Sequence, residues 1–251
     1  MSAISPIRPS DLDFDHGTFD SAGFAAQALS NWQALASVID HTLLNPEATR
    51  AQVETLCEEV NRYRFACAVV NPVWVSTAVS ALAGTGIPVG AAVGFPLGAG
   101  LVSTLHQEAS YVLRLGAREI DMVIPIGQLK SSNYVAVQRT IHAVVSVAHH
   151  HGARLKAILE TCLLSTEEKL RGAEIAIQAG ADFIQTSTGF STGGATPADV
   201  ALMRGVVGGR CGVKALRGIR TLADVQALLE AGANRIGASG SVAIVRELGA
   251  Q

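Results

Sequence analysis

Short apolar runs alternate along the chain with longer stretches in which apolar residues recur every three or four positions. The runs predict strands that are buried on both faces, and the longer stretches predict helices that pack on them. The predicted strands span residues 38–44, 65–70, 88–94, 119–124, 154–160, 182–186, 212–216 and 235–238. Eight strands, each followed by a helix, over about 210 residues predict an α/β fold with a single (β/α)8 barrel.

The boundaries of the predicted helices support the same arrangement. Helices are predicted over 46–63, 101–115 and 167–179, among others. Several of them should end just before the next strand, where glycines occupy positions 116, 152, 180 and 232. Thr196 and Pro197 predict the N-cap and first turn of a later helix. A doubly wound sheet is the competing fold, but it usually has fewer strands, and no G-x-G-x-x-G follows the first strand here.

The N-terminal part of the chain differs from the rest. Residues 21–37 have apolar positions at helical spacing and predict an extra helix before the barrel. The residues before them are rich in Pro, Asp and Ser and lack the basic start and apolar core of a secretion signal. We therefore expect a mobile tail over 1–20 and one barrel domain over 21–251.

Composition excludes several classes of function. Of the 251 residues, 49% are hydrophobic and 16% are charged, which indicates a well-filled core. The net charge of −2 gives no electrostatic reason to expect nucleic acid or an acidic membrane as a partner. No apolar run approaches the length of a membrane span.

The spacing of the cysteines and histidines does not predict a metal centre. The four cysteines are widely spaced without a C-x-x-C pair, so we expect neither zinc nor disulfides, and the cytoplasm is the expected compartment. Three consecutive histidines, His149, His150 and His151, point in different directions on a helix and predict a solvated helix end.

Two lysines stand out as candidate site residues. Only four of the 19 basic residues are lysines, and Lys156 and Lys214 both fall within apolar strand patterns. A buried charge is costly unless it is paired or functional. In a (β/α)8 barrel the C-terminal ends of the strands converge on one site, so we expect both lysines there.

Carboxylates occupy matching positions on other strands. Glu119 and Asp121 alternate with apolar residues and should face the barrel interior. Asp121 either takes part in chemistry or forms a salt bridge to a barrel lysine. Asp40 ends the first strand and is a candidate partner for one of the lysines.

Two loops suit a bound anion. The loop after the sixth strand is dense in hydroxyls and glycines, and Thr186, Thr188 and Gly189 are candidate substrate-binding residues. Its alternative role is that of a plain strand-to-helix connection. A second candidate is Ser239, which opens the final helix, where backbone N–H groups bind anions.

Several of these segments resemble motifs of the deoxyribose-phosphate aldolase family, in the family's order and over about 37–248. They include Asp40-His41-Thr42-Leu43-Leu44, Glu119-Ile120-Asp121-Met122-Val123-Ile124 and Phe183-Ile184-Gln185-Thr186-Ser187-Thr188-Gly189. The family consists of metal-independent class I aldolases that cleave 2-deoxyribose 5-phosphate to acetaldehyde and glyceraldehyde 3-phosphate through a lysine imine. The resemblance implies that Asp121 helps to activate a catalytic water and a lysine, that Lys156 lies in the site, and that no cofactor or metal is needed.

The chain departs from the family at the nucleophile. Gln185 stands where the family has its imine-forming lysine, and an amide nitrogen cannot form a Schiff base. In the family the lysine matching Lys214 neighbours the imine lysine. Lys214 is therefore the first candidate for a relocated imine and Lys156 the second, or Lys214 acts as a cation that stabilises a developing oxyanion.

A second departure follows the seventh strand. Leu216-Arg217-Gly218 keeps one of the two glycines that approach the substrate phosphate in the family. Arg217 is able to bind a phosphate or carboxylate through two hydrogen bonds, but its side chain also fills space that a glycine leaves open. Arg217 and Gly218 are both candidate substrate-binding residues.

The expected function is that of a carbon–carbon lyase acting on a small aldehyde or sugar phosphate, in a homodimer or homotetramer. Two alternatives remain open at this point. One is a barrel with other chemistry, in which Gln185 hydrogen-bonds a substrate carbonyl. The other is a non-catalytic binding protein.

Overall fold

The computed structural model describes residues 18–251, and most of the tail expected over 1–20 lies outside them. The strands form one closed barrel in which each is parallel to its neighbours in chain order and the last pairs with the first. They are β1 Ile39–Leu43, β2 Cys67–Val70, β3 Val89–Val93, β4 Glu119–Val123, β5 Arg154–Ile158, β6 Phe183–Gln185, β7 Gly212–Leu216 and β8 Arg235–Ala238. The predicted (β/α)8 barrel is confirmed.

Helices surround the barrel and cover its outer face. They are α1 Ser21–Ala28, α2 Trp32–Ala36, α3 Arg50–Tyr63, α4 Val75–Ala81, α5 Val102–Arg114, α6 Ile126–Lys130, α7 Tyr134–His150, α8 Thr166–Gln178, α9 Pro197–Val207, α10 Leu222–Glu230 and α11 Ser241–Glu247. Short 3-10 turns follow β2 and β5, at Pro72–Trp74 and Thr161–Leu163. The apolar residues between the strands and helices form the main core.

The single N-terminal helix expected over 21–37 is wrong, because the segment contains two short helices, α1 and α2. The Asn31 side chain accepts a hydrogen bond of 2.8 Å from the backbone N–H of Ala34 and so begins a new helix. Asparagine favours this capping geometry over a helix interior.

The helix predicted over 46–63 begins only at Arg50, because Thr49 and Gln52 form a capping box there, while the helices predicted over 101–115 and 167–179 have ends within one residue of the structure. The Thr196 hydroxyl accepts a hydrogen bond from the Asp199 backbone N–H, and Pro197 is the first residue of α9. The glycines that end the helices before β4 and β8, Gly116 and Gly232, have φ values of 110° and 114°, which a side chain would disfavour.

The register of the barrel decides which side chains share its interior. Asp121 pairs with Lys156, Gln185 with Lys214, and Leu216 with Gly237. Residues paired across a parallel ladder point to the same face.

Six of the eight strands are shorter than predicted by one or two residues, and β5 is one of them. β5 ends at Ile158 instead of residue 160, because Glu160 has a left-handed backbone with φ 57° and ψ 64°. That conformation cannot continue a strand.

Candidate active site

Six charged side chains from five strands meet inside the barrel, and we call them the ion-pair network. Its members are Asp40, Glu119, Asp121, Lys156, Lys214 and Arg235. Each is 3% exposed or less. Three carboxylates face three cations, so the network is balanced in charge, which is what makes such burial tolerable.

Lys156 lies at the centre of this network. Its Nζ is 2.8 Å from Asp40 Oδ2, 2.5 Å from Glu119 Oε2 and 3.0 Å from Asp121 Oδ1. Burial opposes its charge, but the three carboxylates outweigh burial and raise the pKa of Lys156 well above its ordinary value. Lys156 therefore remains an ammonium, a form that cannot attack a carbonyl.

Lys214 has fewer carboxylate partners than Lys156. Its Nζ is 2.7 Å from Asp40 Oδ2 and 2.5 Å from Asp121 Oδ2. The two oxygens of Asp121 thus contact different lysines, so that this one carboxylate connects the two amines.

The carboxylates that join the lysines are held ionised. Burial raises the pKa of Asp121, but Lys156 and Lys214 outweigh it, so the pKa is lowered from its ordinary value. Burial likewise opposes the charge of Asp40, and Arg235 with the two lysines holds its pKa well below the usual range.

Gln185 lies beside Lys214 on the adjacent strand and is 1% exposed. Its Nε2 donates a hydrogen bond of 2.9 Å to the carbonyl oxygen of Ser187. Its Oε1 is buried and has no hydrogen-bond partner within the described part of the chain. The side chain therefore offers an acceptor to a hydroxyl or a water, because a buried polar atom normally has a partner.

A pocket of about 620 Å³ opens at the C-terminal end of the barrel, a size that suits a small ligand. Five of the expected substrate-binding residues contribute to its wall, and so does Arg220. The five are Thr188, Gly189, Arg217, Gly218 and Ser239.

The remaining predicted residues lie elsewhere. The described residues that line the pocket do not include Asp40, Asp121, Lys156, Lys214 or Gln185, because these five lie in the barrel interior. The charged groups and the pocket are therefore two separate compartments of the same barrel.

Thr186, also expected to bind substrate, is fully buried. Its hydroxyl donates to the carbonyl oxygen of Leu216 at 3.3 Å and accepts from the Leu216 N–H at 3.2 Å. In this structure it joins the ends of β6 and β7.

Arg217 connects two loops of the pocket wall. Its Nη1 donates to the carbonyl oxygen of Gly189, and its own carbonyl oxygen accepts a 3.0 Å hydrogen bond from the Ala195 N–H. Its backbone has φ 78°, a conformation that costs a residue other than glycine about 1 kcal/mol. The guanidinium is thus engaged with the loop after β6 while it also lines the pocket.

Sequence reasoning did not assign two buried charged residues to the site. Arg235 Nη2 lies 2.9 Å from Glu119 Oε1. The sequence feature that could have indicated its inward position is its spacing of two residues from Gly237, which places both on one face of β8. Glu160 accepts hydrogen bonds from the backbone N–H and the hydroxyl of Thr188, and so fixes the loop after β6. The sequence feature that could have indicated this role is that Glu160 is a carboxylate at the end of an apolar strand pattern.

Comparison with known proteins identifies the family. The sequence profile of the DeoC/LacD family aldolases matches residues 11–246. This chain belongs to that family. A deoxyribose-phosphate aldolase from Geobacillus sp. is 52% identical over 211 residues, covering 84% of this chain and 94% of that one.

Other DeoC/LacD family members agree with this assignment. A deoxyribose-phosphate aldolase from Caldanaerobacter subterraneus subsp. tengcongensis is 51% identical over 214 residues, covering 85% of this chain and 93% of the relative. The tetrameric structure of deoxyribose phosphate aldolase from Aeropyrum pernix superposes with a TM-score of 0.84 at 34% identity, covering 91% of this chain and 96% of that one. Members of the family act on small molecules, and this chain is a lyase of that kind.

One group of potential metal ligands occurs among the described residues of this aldolase. Donor atoms of Asp40, Cys67 and Glu119 lie within 4.8 Å of one another. Burial and the nearby Glu119 raise the pKa of the Cys67 thiol well above its ordinary value, so it is a poor ligand. Lys156 also contacts both carboxylates, and its ammonium occupies the place of a cation.

Two further features lie away from the site. His149 Nε2 is 3.0 Å from Asp182 Oδ2 at the end of α7, in agreement with the expected helix end. No helix in the described part of the chain is long and apolar enough to cross a membrane.

Proposed function

We propose that this aldolase makes and breaks the aldol bond of 2-deoxyribose 5-phosphate, or of a related small aldehyde or sugar phosphate, through an imine on Lys214. The observation that carries the proposal is the pairing of Lys214 with Asp121 at 2.5 Å, inside the barrel near the end of β7. Of the two buried lysines, Lys214 has fewer carboxylates on its amine, and it neighbours Gln185, where the family pattern has the imine lysine.

The charge of the intermediate fits the network. The amine of Lys214 loses a proton, attacks the substrate aldehyde and releases water, which gives a protonated imine. This iminium has the same single positive charge, in the same place, as the ammonium it replaces. Asp40 and Asp121 therefore stabilise both species, and the network remains balanced.

Carbon–carbon cleavage then needs only proton transfers. The β-hydroxyl of the substrate gives up its proton as the bond breaks, its carbon leaves as the carbonyl of a second aldehyde, and the electron pair of the broken bond forms an enamine on Lys214. Protonation of the enamine and addition of the water released earlier return acetaldehyde and the free amine. Asp121 with a water is the proton shuttle, and Lys156 is a positioning residue that keeps Asp121 ionised.

Gln185 has a defined place in this scheme. Its unpartnered Oε1 accepts a hydrogen bond from the shuttle water or from the substrate hydroxyl. The phosphate of the substrate would lie in the pocket, where Arg220, Gly218 and Ser239 contribute donors.

A kinetic comparison of two lysine variants tests this function. Lys214→Met removes the nucleophile and should lower kcat/KM for 2-deoxyribose 5-phosphate by about a thousandfold or more. Lys130→Met is the control, because Lys130 is a half-exposed lysine paired with Glu168 outside the site, and it should retain full activity. Equal activity of both variants would contradict the proposal, and so would the absence of turnover with every short aldol tried.

The assembly and compartment belong to the same proposal. The tetrameric relative supports a homo-oligomer, and exposed apolar side chains such as Leu97, Leu101 and Val135 offer surface for contact between copies. Light scattering during size-exclusion chromatography tests the homodimer or homotetramer, and a monomeric mass would contradict it. The cytoplasm remains the expected compartment, and cell fractionation tests it.

A further inference from the structure

Leu216 lies between the pocket and Lys214. The two residues are two positions apart on β7 and share the interior face of the barrel. Leu216 lines the pocket and is 6% exposed, whereas Lys214 has no exposed surface. On this face of β7 the leucine thus reaches the pocket, and the amine lies buried one position further inside.

The branches of Leu216 extend across the interior in two directions. A Cβ atom built on Gly237 of β8 would lie 2.7 Å from Leu216 Cδ1 and 3.0 Å from Lys214 Cε. A Cβ built on Gly189, in the loop after β6, would lie 3.6 Å from Leu216 Cδ2. One methyl group thus packs against β8 and the other against the β6 loop, and the absence of a side chain at Gly237 provides the room.

The backbone on both sides of this leucine is held in place. The Thr186 hydroxyl hydrogen-bonds both the N–H and the carbonyl oxygen of Leu216. Arg217, the next residue, donates to the carbonyl oxygen of Gly189. The apolar side chain of Leu216 thus lies on a fixed backbone, and its rotation or truncation is the change that would widen the boundary on this face of β7.

We propose that Leu216 is a specificity-determining residue, which separates the pocket from Lys214 and limits the length of substrate whose carbonyl reaches the amine. The proposal rests on the proposed function, in which Lys214 forms the imine. A short unphosphorylated aldehyde needs little displacement of the leucine. A sugar phosphate anchored in the pocket must extend its aldehyde end through the space that the leucine fills. The site therefore favours short aldols over sugar phosphates, and the leucine is the cause.

The barrier is tested first by chemistry that does not use imines. Lys214 is acetylated with N-hydroxysuccinimidyl acetate, and the rate at that lysine is followed by peptide mass spectrometry. Leu216→Ala should raise the rate about tenfold or more, whereas Leu216→Met keeps the volume and should leave it within about twofold. Leu228→Ala makes the same truncation in α10 and controls for a general loosening of the fold.

Specificity is tested with two substrates of different length. The kcat/KM for 2-deoxyribose 5-phosphate is divided by that for 3-hydroxybutanal, a short aldol that cleaves to two molecules of acetaldehyde. Leu216→Ala should raise this ratio about tenfold and Leu216→Met should not. Leu216→Val, with an intermediate effect expected on both readouts, replaces the alanine variant if circular dichroism shows that the alanine variant is unfolded.

The outcomes separate this inference from the proposed function. An unchanged acetylation rate in the truncated variants overturns the barrier, whatever the kinetics show. A faster acetylation with an unchanged substrate ratio overturns the role in specificity. A faster acetylation without turnover of either substrate by any variant supports the barrier and overturns the imine function of Lys214.

Discussion

The ion-pair network and the pocket above it belong to the same barrel, but the charged side chains are buried and paired in the network and exposed in the pocket. In the network every cation lies within 3.5 Å of a carboxylate and is almost fully buried. In the pocket Arg217 and Arg220 line a space that is open to solvent. A charge in the network therefore depends on its buried partners, while a charge in the pocket is exposed to a ligand, even where one N–H of Arg217 is already bonded to the Gly189 carbonyl.

This difference between the two compartments bears on Gln185, Leu216 and Arg217, the residues at which the sequence resemblance implies a departure from the family motifs. Gln185 places a neutral amide beside a network that already has three cations for three carboxylates, so a lysine there would be a fourth cation. Leu216 and Arg217 lie in the pocket wall, at the boundary between the two compartments, and neither forms an ion pair with the network. The pocket and its boundary are thus the part in which the specificity of this aldolase is able to change while the barrel interior stays balanced.

Removing one carboxylate from the network should give the largest change in stability. Asp121→Asn leaves two buried lysines short of a partner and should lower the free energy of unfolding by about 3–5 kcal/mol. Asp199→Asn breaks the more exposed pair with Lys169 and should cost about 1 kcal/mol. Urea unfolding measures both, and similar losses would contradict the difference between buried and exposed charge.

Gln185→Lys adds a cation to the balanced network, and we expect the free energy of unfolding to fall by about 2 kcal/mol at neutral pH. Because no carboxylate is available, the pKa of the added amine falls below that of an unfolded lysine, and the stability deficit should shrink as the pH rises toward 10. The neutral amine should form imines, with a borohydride-trapped adduct at position 185. Thermal unfolding between pH 6 and pH 10 measures the deficit, and a constant value would show that the added lysine is charged.

The unchanged protein should lose stability in acid. The pKa values of Asp40 and Asp121 lie below their ordinary value of 3.8, so their contribution is present above about pH 4 and is lost as the pH falls through the folded values. For two such groups we expect the free energy of unfolding to fall by about 2 kcal/mol between pH 5 and pH 3. Asp121→Asn should show a smaller loss over the same interval, and an equal slope would exclude Asp121 as a source.

Much of this arrangement follows from local sequence patterns. The period of two along 119–124 placed Asp121 inside the barrel, because alternation depends only on strand geometry. The apolar strand patterns around Lys156 and Lys214 placed both lysines in the same interior. The break between α1 and α2 was missed because apolar spacing was read without the capping tendency of Asn31.

The boundary between the compartments could not be predicted in the same way. The cover above Lys214 depends on where Leu216 reaches across the barrel, toward Gly237 and Gly189, which are 21 and 27 residues away in sequence. The engagement of Arg217 with the Gly189 carbonyl likewise depends on the path of two loops. Such contacts are set by the closed barrel and leave no periodic signal.

The claim that Lys214 is the imine-forming residue is tested most directly by trapping. The protein is incubated with acetaldehyde and borohydride, and the adduct is located by intact and peptide mass spectrometry. Our account predicts one stable two-carbon adduct on Lys214 and none on Lys156, whose amine is held as an ammonium by three carboxylates. An adduct on Lys156, or no adduct in a protein whose Gln185→Lys variant does trap, would contradict it.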